Sequence, residues 1–341
     1  MVPTVSIARI WRQMWAICFL IGCTSIPESR DLREFQFEQP AMGTQFRIVL
    51  FAPDINAAKR GAAAAFSRVA GLDRMMTDYD PQSELLQLSS ATLGQPVPLS
   101  RDLFTALHRA HELAQFCNGA IDPTVGPYVQ IWRRARRQRE LPAPEKIIEV
   151  APAVGWTKLT LNKEKQTATL HVQNMRLDLG GIAKGYAADA ALGVLREHGI
   201  GRALVAASGD LAIGDPPPGK PGWSIGMMSF ASDKPDRTAV LRNCGVSTSG
   251  DTQQFLELNG VRYSHIVDPR TGQALTNRIS VSIIATDATT SDVLATAVCV
   301  LGAEKGLLAV RNLSGVQVRA ISLRDGKPVE TTSEGFPKNQ K

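Results

Sequence analysis

Cysteine is scarce in this chain. The five that occur, at positions 18, 23, 117, 244 and 299, form no CxxC pair and no close cluster. Neither a zinc site nor a disulfide framework follows from such spacing. Strong charge is missing too. The 38 Lys and Arg against 32 Asp and Glu leave a formal +6 over 341 residues. That balance is too mild to imply a nucleic-acid partner, and none is expected. Internal repeats and low-complexity tracts are absent. The apolar run Trp15 to Gly22 is too short to span a bilayer. What is there is 44% apolar and 21% charged, the balance of a globular protein with a real core, as one large domain or two ordinary ones.

The N-terminus reads as a targeting segment. Arg9 and Arg12 supply a positive region ahead of the short apolar run. Leu20-Ile21-Gly22-Cys23 then resembles the lipobox at which bacterial lipoproteins are cleaved and acylated on cysteine. Residues 1–22 are expected to be a signal peptide, Cys23 the lipidated first residue, and 23–34 a tether. The alternative is a plain signal anchor. Cleavage would lower the formal charge from +6 to +4, since two arginines leave. Of the remaining cysteines, an oxidising compartment could pair two, but Cys117, Cys244 and Cys299 read as buried, inert thiols.

Organisation emerges along the chain. Strands are expected from Phe35 to Phe51 around Ala41-Met42-Gly43-Thr44. A helix follows over Ala57–Met76, where apolar residues recur at spacings of three and four. A second runs from Arg101 to Cys117 with Ser100 as N-cap. Ala120-Ile121-Asp122-Pro123 fixes a carboxylate rigidly after the stop Asn118-Gly119. The basic run Arg133, Arg134, Arg136, Arg137, Arg139 precedes two prolines and reads as an exposed helix end or loop. Thr157 to Leu177 reads as a hairpin. The stretch Asp178-Leu179-Gly180-Gly181-Ile182-Ala183-Lys184-Gly185-Tyr186 sits where that strand turns into a helix ended by Gly199. Such a junction exposes backbone N–H groups and admits a bulky ligand. Gly214 to Lys220 has the outer spacing of a phosphate-binding P-loop. Its three prolines lack the N–H groups that such a loop aims at phosphate, so it reads as a surface turn. Strands at Trp223–Phe230, Ala239–Thr248 and Ile279–Ala285 precede a last long helix opened by Ser291-Asp292.

Several residues could carry chemistry. Asp292 and Thr296, four apart near a helix start, would present oxygen to a hard cation, or Asp292 would merely complement the helix dipole. His265 stands before a turn with Asp268 and Arg270, as a general base would, or as a structural histidine would. Asp122, Asp178 and Lys184 suit a ligand or an ordinary ion pair.

Taken together, six stretches occur in one order: Ala41–Thr44, Ala120–Pro127, Asp178–Tyr186, Ser247–Asp251, His265–Gly272 and Ser291–Ala297. They resemble the FAD:protein FMN transferases, the ApbE family, over about residues 35–325. Two departures are Ser208-Gly209-Asp210, where the family has two glycines before Asp or Asn, and Ile121, where an aromatic is common. The resemblance implies an α+β fold with a T-fold-related core, a smaller appended lobe and a C-terminal tail at 326–341. It implies an FAD pocket of Met42, Tyr79, Ala120, Ile121, Asp122, Asp178, Lys184 and Ile266. Mg2+ would be held by Asp292, Thr296 and the Gly181 carbonyl, with His265 nearest the chemistry. The implied reaction moves FMN from FAD onto a Thr or Ser hydroxyl of an acceptor protein, a membrane redox subunit, and releases AMP. The implied setting is the periplasmic side of the cell membrane, with a lipid anchor at Cys23 in the inner membrane or, as the alternative, the outer one. An FAD pyrophosphatase and a non-catalytic FAD-binding lipoprotein are the rival readings.

Overall fold

The computed structural model describes residues 31–251 and 254–339, so the expected signal peptide and Cys23 lie outside the described residues. The chain begins with strands β1 (Arg33–Ala41) and β2 (Thr44–Ala52), joined by Met42-Gly43. Both turn residues have positive φ, +50° and +70°, the left-handed pair that matches strand twist in a two-residue hairpin. Met42 tolerates this conformation with its N–H donating to Asp73 Oδ2 at 2.8 Å. Helix α1 (Ile55–Met76) follows, capped by Asp54, which accepts from the N–H groups of Asn56 and Ala57.

Next come α2 (Glu84–Ser89), β3 (Val97–Pro98), α3 (Arg101–Phe116), α4 (Gly126–Gln138), α5 (Pro144–Val150), β4 (Leu159–Asn162) and β5 (Thr167–Leu170). Ser100 caps α3 as expected. Strands β3, β5 and β4 make a small antiparallel sheet. The hairpin strand ends at Leu170 rather than Leu177. Residues 171–177 are irregular because their backbone turns toward the glycine-rich loop, where Leu177 N–H donates to Ser89 Oγ and Asp178 N–H to the Pro123 carbonyl.

The second half supplies α6 (Ala183–Glu197), β6 (Ala203–Ala207), β7 (Asp210–Ile213), β8 (Trp223–Met227), β9 (Arg237–Leu241) and β10 (Cys244–Gly250). Short ladders β11 (Phe255–Leu258) with β12 (Val261–Ser264), and β13 (Val267–Asp268) with β14 (Gln273–Ala274), precede β15 (Ile279–Ala285). Helices α7 (Ala288–Leu301) and α8 (Ala303–Val310) and strands β16 (Gln317–Arg324) and β17 (Lys327–Thr332) complete the chain. The class is α+β.

One eight-stranded antiparallel sheet, ordered β1-β2-β6-β7-β10-β15-β16-β17, organises these elements. The period of two along β2 sends Phe46, Ile48, Leu50 and Ala52 into the main core with α1, α6 and α7. Val49 and Phe51 point the other way, against the β8–β9 hairpin, where Trp223, Ile225 and Met227 cover the back of the sheet. Arg319, buried in β16, is held there by Asp236 Oδ1 at 2.8 Å and Glu330 Oε2 at 2.7 Å.

Three expectations need correction. The last strand, β17, and the buried Phe336 lie beyond the boundary expected at 325 and belong to the sheet and its back core, not to a tail. The last long helix starts at Ala288, capped by Asp287, because Asp287 Oδ1 accepts from Thr290 N–H. Asp292 is therefore inside the helix and buried, not its cap. Of the three described cysteines, all unpaired, Cys117 and Cys299 are buried but Cys244 is only half-buried.

Candidate active site

A cleft of about 530 Å3 opens at one end of the helical layer. Met42, Tyr79, Ala120, Ile121, Asp122, Asp178, Gly181, Lys184, His265, Ile266, Asp292 and Thr296 all line it. Every described residue singled out for chemistry therefore faces one space, although the chain separates them by up to 254 positions (296 − 42).

Its floor is the crossing of α6 and α7. Lys184, in the first turn of α6, places Nζ 2.5 Å from Asp210 Oδ2 and 3.3 Å from Asp292 Oδ2. The same Asp292 oxygen accepts from Gly185 N–H at 3.0 Å. Burial alone would lower the Lys184 pKa, but Asp210 and Asp292 outweigh it and keep the ammonium charged. Burial and the charge of Asp210 push Asp292 up to about 6. Two carboxylates thus share one ammonium, leaving a local charge of about −1 that favours a further cation.

Oxygen donors surround that position. Thr296 lies one turn beyond Asp292 on α7, and its Oγ1 is 3.3 Å from Ser249 Oγ on β10. A side-chain carbon on Gly181 would stand 3.9 Å from Thr296 Oγ1, so the glycine-rich loop borders the hydroxyl directly. Among the described residues no three His, Cys, Asp or Glu side chains converge as a metal cluster. A cation here would rest on one carboxylate, hydroxyls and backbone oxygen. Such a hard donor set suits magnesium, which keeps several waters.

Asp189 sets the pitch of α7. From the second turn of α6 its carboxylate accepts from the N–H groups of Ala288 and Thr289, at 3.0 and 2.8 Å, and from Thr289 Oγ1 at 2.6 Å. The N-terminal amides of the helix that carries Asp292 and Thr296 are thereby fixed to the helix that carries Lys184.

Asp178 lies beside the loop. Its Oδ1 accepts from Gly180 N–H at 2.7 Å, and its Oδ2 lies 3.2 Å from Arg133. Asp122 lines the cleft, yet its oxygens are occupied by Thr124 N–H and Oγ1 and by Trp156 N–H. Burial raises the pKa of both carboxyls. Asp122 therefore shapes the wall, and its carboxylate is not free to meet a ligand.

Helix α4 carries what the sequence reading missed. Tyr128, Trp132 and Ala135, spaced by four and three, are buried with Ile147, Leu256 and Val267. One residue on, Val129, Arg133 and Arg136 repeat that spacing and line the cleft. The basic run is therefore split. Arg134 and Arg137 are exposed, whereas Arg133 is ion-paired with both Asp78 and Asp178 and sits 4.7 Å over the Tyr79 ring. Tyr79 itself is 73% exposed, as a lip of the cleft. The doubled period within residues 128–136 was the signal for this helix.

His265 forms the opposite rim, with its ring open to solvent. Its Nδ1 lies 3.1 Å from the Gln254 carbonyl oxygen. A carbonyl only accepts, so Nδ1 carries the proton and Nε2 keeps a free lone pair. Partial desolvation on the side of the ring that faces the cleft wall, with the other side exposed, lowers the His265 pKa, and Arg136 and Lys184 push the same way. The ring is therefore neutral near pH 7 and can take a proton.

Comparison with known proteins places this arrangement. The chain is 31% identical over 326 residues to the FAD:protein FMN transferase of Treponema pallidum, covering 90% of this chain and 89% of that protein. It is 33% identical over 278 residues to the FAD:protein FMN transferase of Haemophilus influenzae, covering 77% and 78%. Among solved structures, the ApbE protein of Thermotoga maritima superposes with a TM-score of 0.80 at 29% identity, over 89% of this chain and 97% of that one. The flavin transferase ApbE of Vibrio cholerae gives 0.81 at 27% identity, over 89% and 98%. Residues 42–320 match the ApbE family model, and the chain belongs to the ApbE family.

Proposed function

We propose that this chain is an FAD:protein FMN transferase, which uses Mg2+ to move FMN from FAD onto a Thr or Ser hydroxyl of an acceptor protein and releases AMP. The relatives' names support the transferase and its flavin substrate. One observation carries the finer reading: the cleft that joins the glycine-rich loop to α7 also presents a neutral histidine whose Nε2 bonds to none of the described residues.

Each residue has work in that reaction. Met42, Tyr79, Ala120, Ile121 and Ile266 give the flavin largely apolar walls, with Asp122 holding the wall in place. Asp178 orients the glycine-rich loop. Asp292, Thr296 and the Gly181 backbone would hold Mg2+, which supplies charge neutralisation for a diphosphate. Lys184, paired with Asp210 and Asp292, holds the Asp292 carboxylate in place beside it. His265 Nε2 accepts the proton of the attacking hydroxyl. The hydroxyl oxygen bonds to the FMN phosphorus as the bond from that phosphorus to the bridging oxygen breaks, and the bridging oxygen departs with AMP. Base assistance of this kind contributes about 10²–10⁴-fold, so electrostatic stabilisation carries the larger share.

Lipidation of Cys23 would hold the enzyme at the periplasmic face of the cell membrane, beside membrane redox subunits that serve as acceptors. The test of the reaction is intact-mass analysis of a candidate acceptor incubated with the chain, FAD and magnesium. An added FMN on Thr or Ser, with AMP in solution, is the expected outcome. Free FMN and AMP would make it a pyrophosphatase, and unchanged FAD a carrier.

A further inference from the structure

Among the described residues, Arg136 is the one Lys or Arg side chain lining the cleft without an acidic partner. Lys184 is matched by Asp210 and Asp292, and Arg133 by Asp78 and Asp178. Among the described residues Arg136 has only Gln254, whose Oε1 accepts from its Nη1 at 3.3 Å. It is half-buried, and both that burial and the nearby charge of Arg133 lower its pKa. A guanidinium in such surroundings is stabilised by an anion that the folded chain does not supply.

The position is built, not incidental. Trp132 Nε1 donates to the Gly272 carbonyl at 2.8 Å, and the Trp132 ring stacks on Tyr263 at 5.6 Å. Gly272, at φ +72°, meets Tyr128 so closely that a side-chain carbon would stand 2.5 Å from its ring. These contacts clamp α4 against the segment that carries His265. The cleft face of α4 therefore cannot turn away, and Arg136 stays in the wall near enough for its charge to reach His265.

We propose that Arg136 is a diphosphate-binding residue of this site, engaging the phosphate oxygens of the flavin dinucleotide from the α4 wall of the cleft that Lys184 and Asp292 also line. The inference rests on FAD being the substrate. The planar guanidinium fork matches phosphate oxygens two at a time. The lining also carries Asp73, Asp78, Asp122, Asp178 and Asp292, so a dianionic ligand needs every cation not already neutralised.

The test compares two flavins on the full chain without acceptor. FAD carries the diphosphate; riboflavin shares the ring system and has none. Flavin fluorescence titrations with magnesium present would give both affinities. Arg136→Gln is expected to weaken FAD by about tenfold or more, the scale of one charge-assisted hydrogen bond, and to change riboflavin by less than about twofold. Arg136→Lys should weaken FAD less, since charge remains and the fork is lost. Arg137→Gln, on the solvent face, should change neither. Equal FAD affinity in Arg136→Gln and the parent chain, or a parallel loss for both flavins, overturns the proposal. Should Arg136→Gln not fold, Arg136→Lys decides by the same comparison: an FAD-only loss supports the assignment, and none refutes it. A parent chain that binds neither flavin would instead remove the substrate reading itself.

Discussion

A side-chain carbon on Gly185 would stand 2.3 Å from the carbonyl oxygen of Ala288. Helices α6 and α7 therefore touch backbone to backbone, and that contact sets the Lys184 to Asp292 spacing. Gly185→Ala must push the helices apart. The expected cost is about 1–3 kcal/mol of stability, the range for overpacking, together with loss of metal-stimulated transfer. Thermal unfolding and a transfer assay read the two effects. A variant with parent-like melting and full transfer would contradict the packing argument.

Removing the carboxylate at the proposed cation position should act on metal response before fold. Asp292→Ala is expected to lower transfer by about 100-fold or more at saturating FAD, because the charge that recruits the cation is gone. Thr296→Val, close in shape, should raise the magnesium concentration needed for half-maximal rate. An Asp292→Ala protein with the parent's magnesium dependence would show that the cation binds elsewhere.

Proton transfer gives a pH signature. The His265 pKa is lowered from 6.5, so the base form is already dominant at neutral pH. Transfer should be flat above that value and fall as pH drops through the lowered pKa, when Nε2 becomes protonated. His265→Ala should lose about 10²–10⁴-fold and abolish that acid limb. A limb unchanged in His265→Ala would assign it to another group.

Asp189 touches no part of the cleft, yet it holds the amides of Ala288 and Thr289. In Asp189→Asn the amide keeps one acceptor oxygen and loses the other, leaving a buried N–H unsatisfied at about 1–3 kcal/mol. The magnesium dependence of transfer should shift upward as α7 loosens, while flavin affinity without metal stays near the parent value. Equal shifts in both would mark a general loss of structure instead.

For the N-terminus, Cys23→Ser is expected to release the protein from the membrane fraction into the soluble periplasm. The parent's mature N-terminal peptide should carry a diacylglycerol-modified cysteine by mass spectrometry. A Cys23→Ser protein that stays with membranes would favour an uncleaved signal anchor.

How much of this was legible beforehand depends on the kind of signal. Met42, Asp178, Gly181, Lys184, His265, Asp292 and Thr296 stand in short stretches of constrained residue types, and the fold brings all of them to one cleft. Residues 171–177 alternate like a strand, but Leu177 N–H bonds to Ser89 and the next amide, Asp178, to Pro123, which no local period encodes. Ser291-Asp292 looked like a helix start because the true cap, Asp287, precedes a run of small and hydroxylated residues with weak helical preference. Arg133 and Arg136 were hidden in a run whose charge suggested solvent. Their partners Asp78, Asp178 and Gln254 lie 55, 45 and 118 positions away. Asp189 and Asp210 likewise act only across the tertiary fold.

The two sides of the cleft differ in how they are braced. Lys184 and Asp292 sit on helices with no room between them, whereas His265 sits among ladders of two and four residues outside the eight-stranded sheet. On the proposed function the first side would grip the nucleotide, and the second, clamped to α4 through Gly272 and Tyr263, would meet the incoming guest. Choice of guest can therefore drift through exposed positions of the β11–β12 ladder such as Glu257 and Val261, while Gln254, His265, Ile266 and Gly272 stay fixed. A lineage of such proteins could change clients without rebuilding its chemistry.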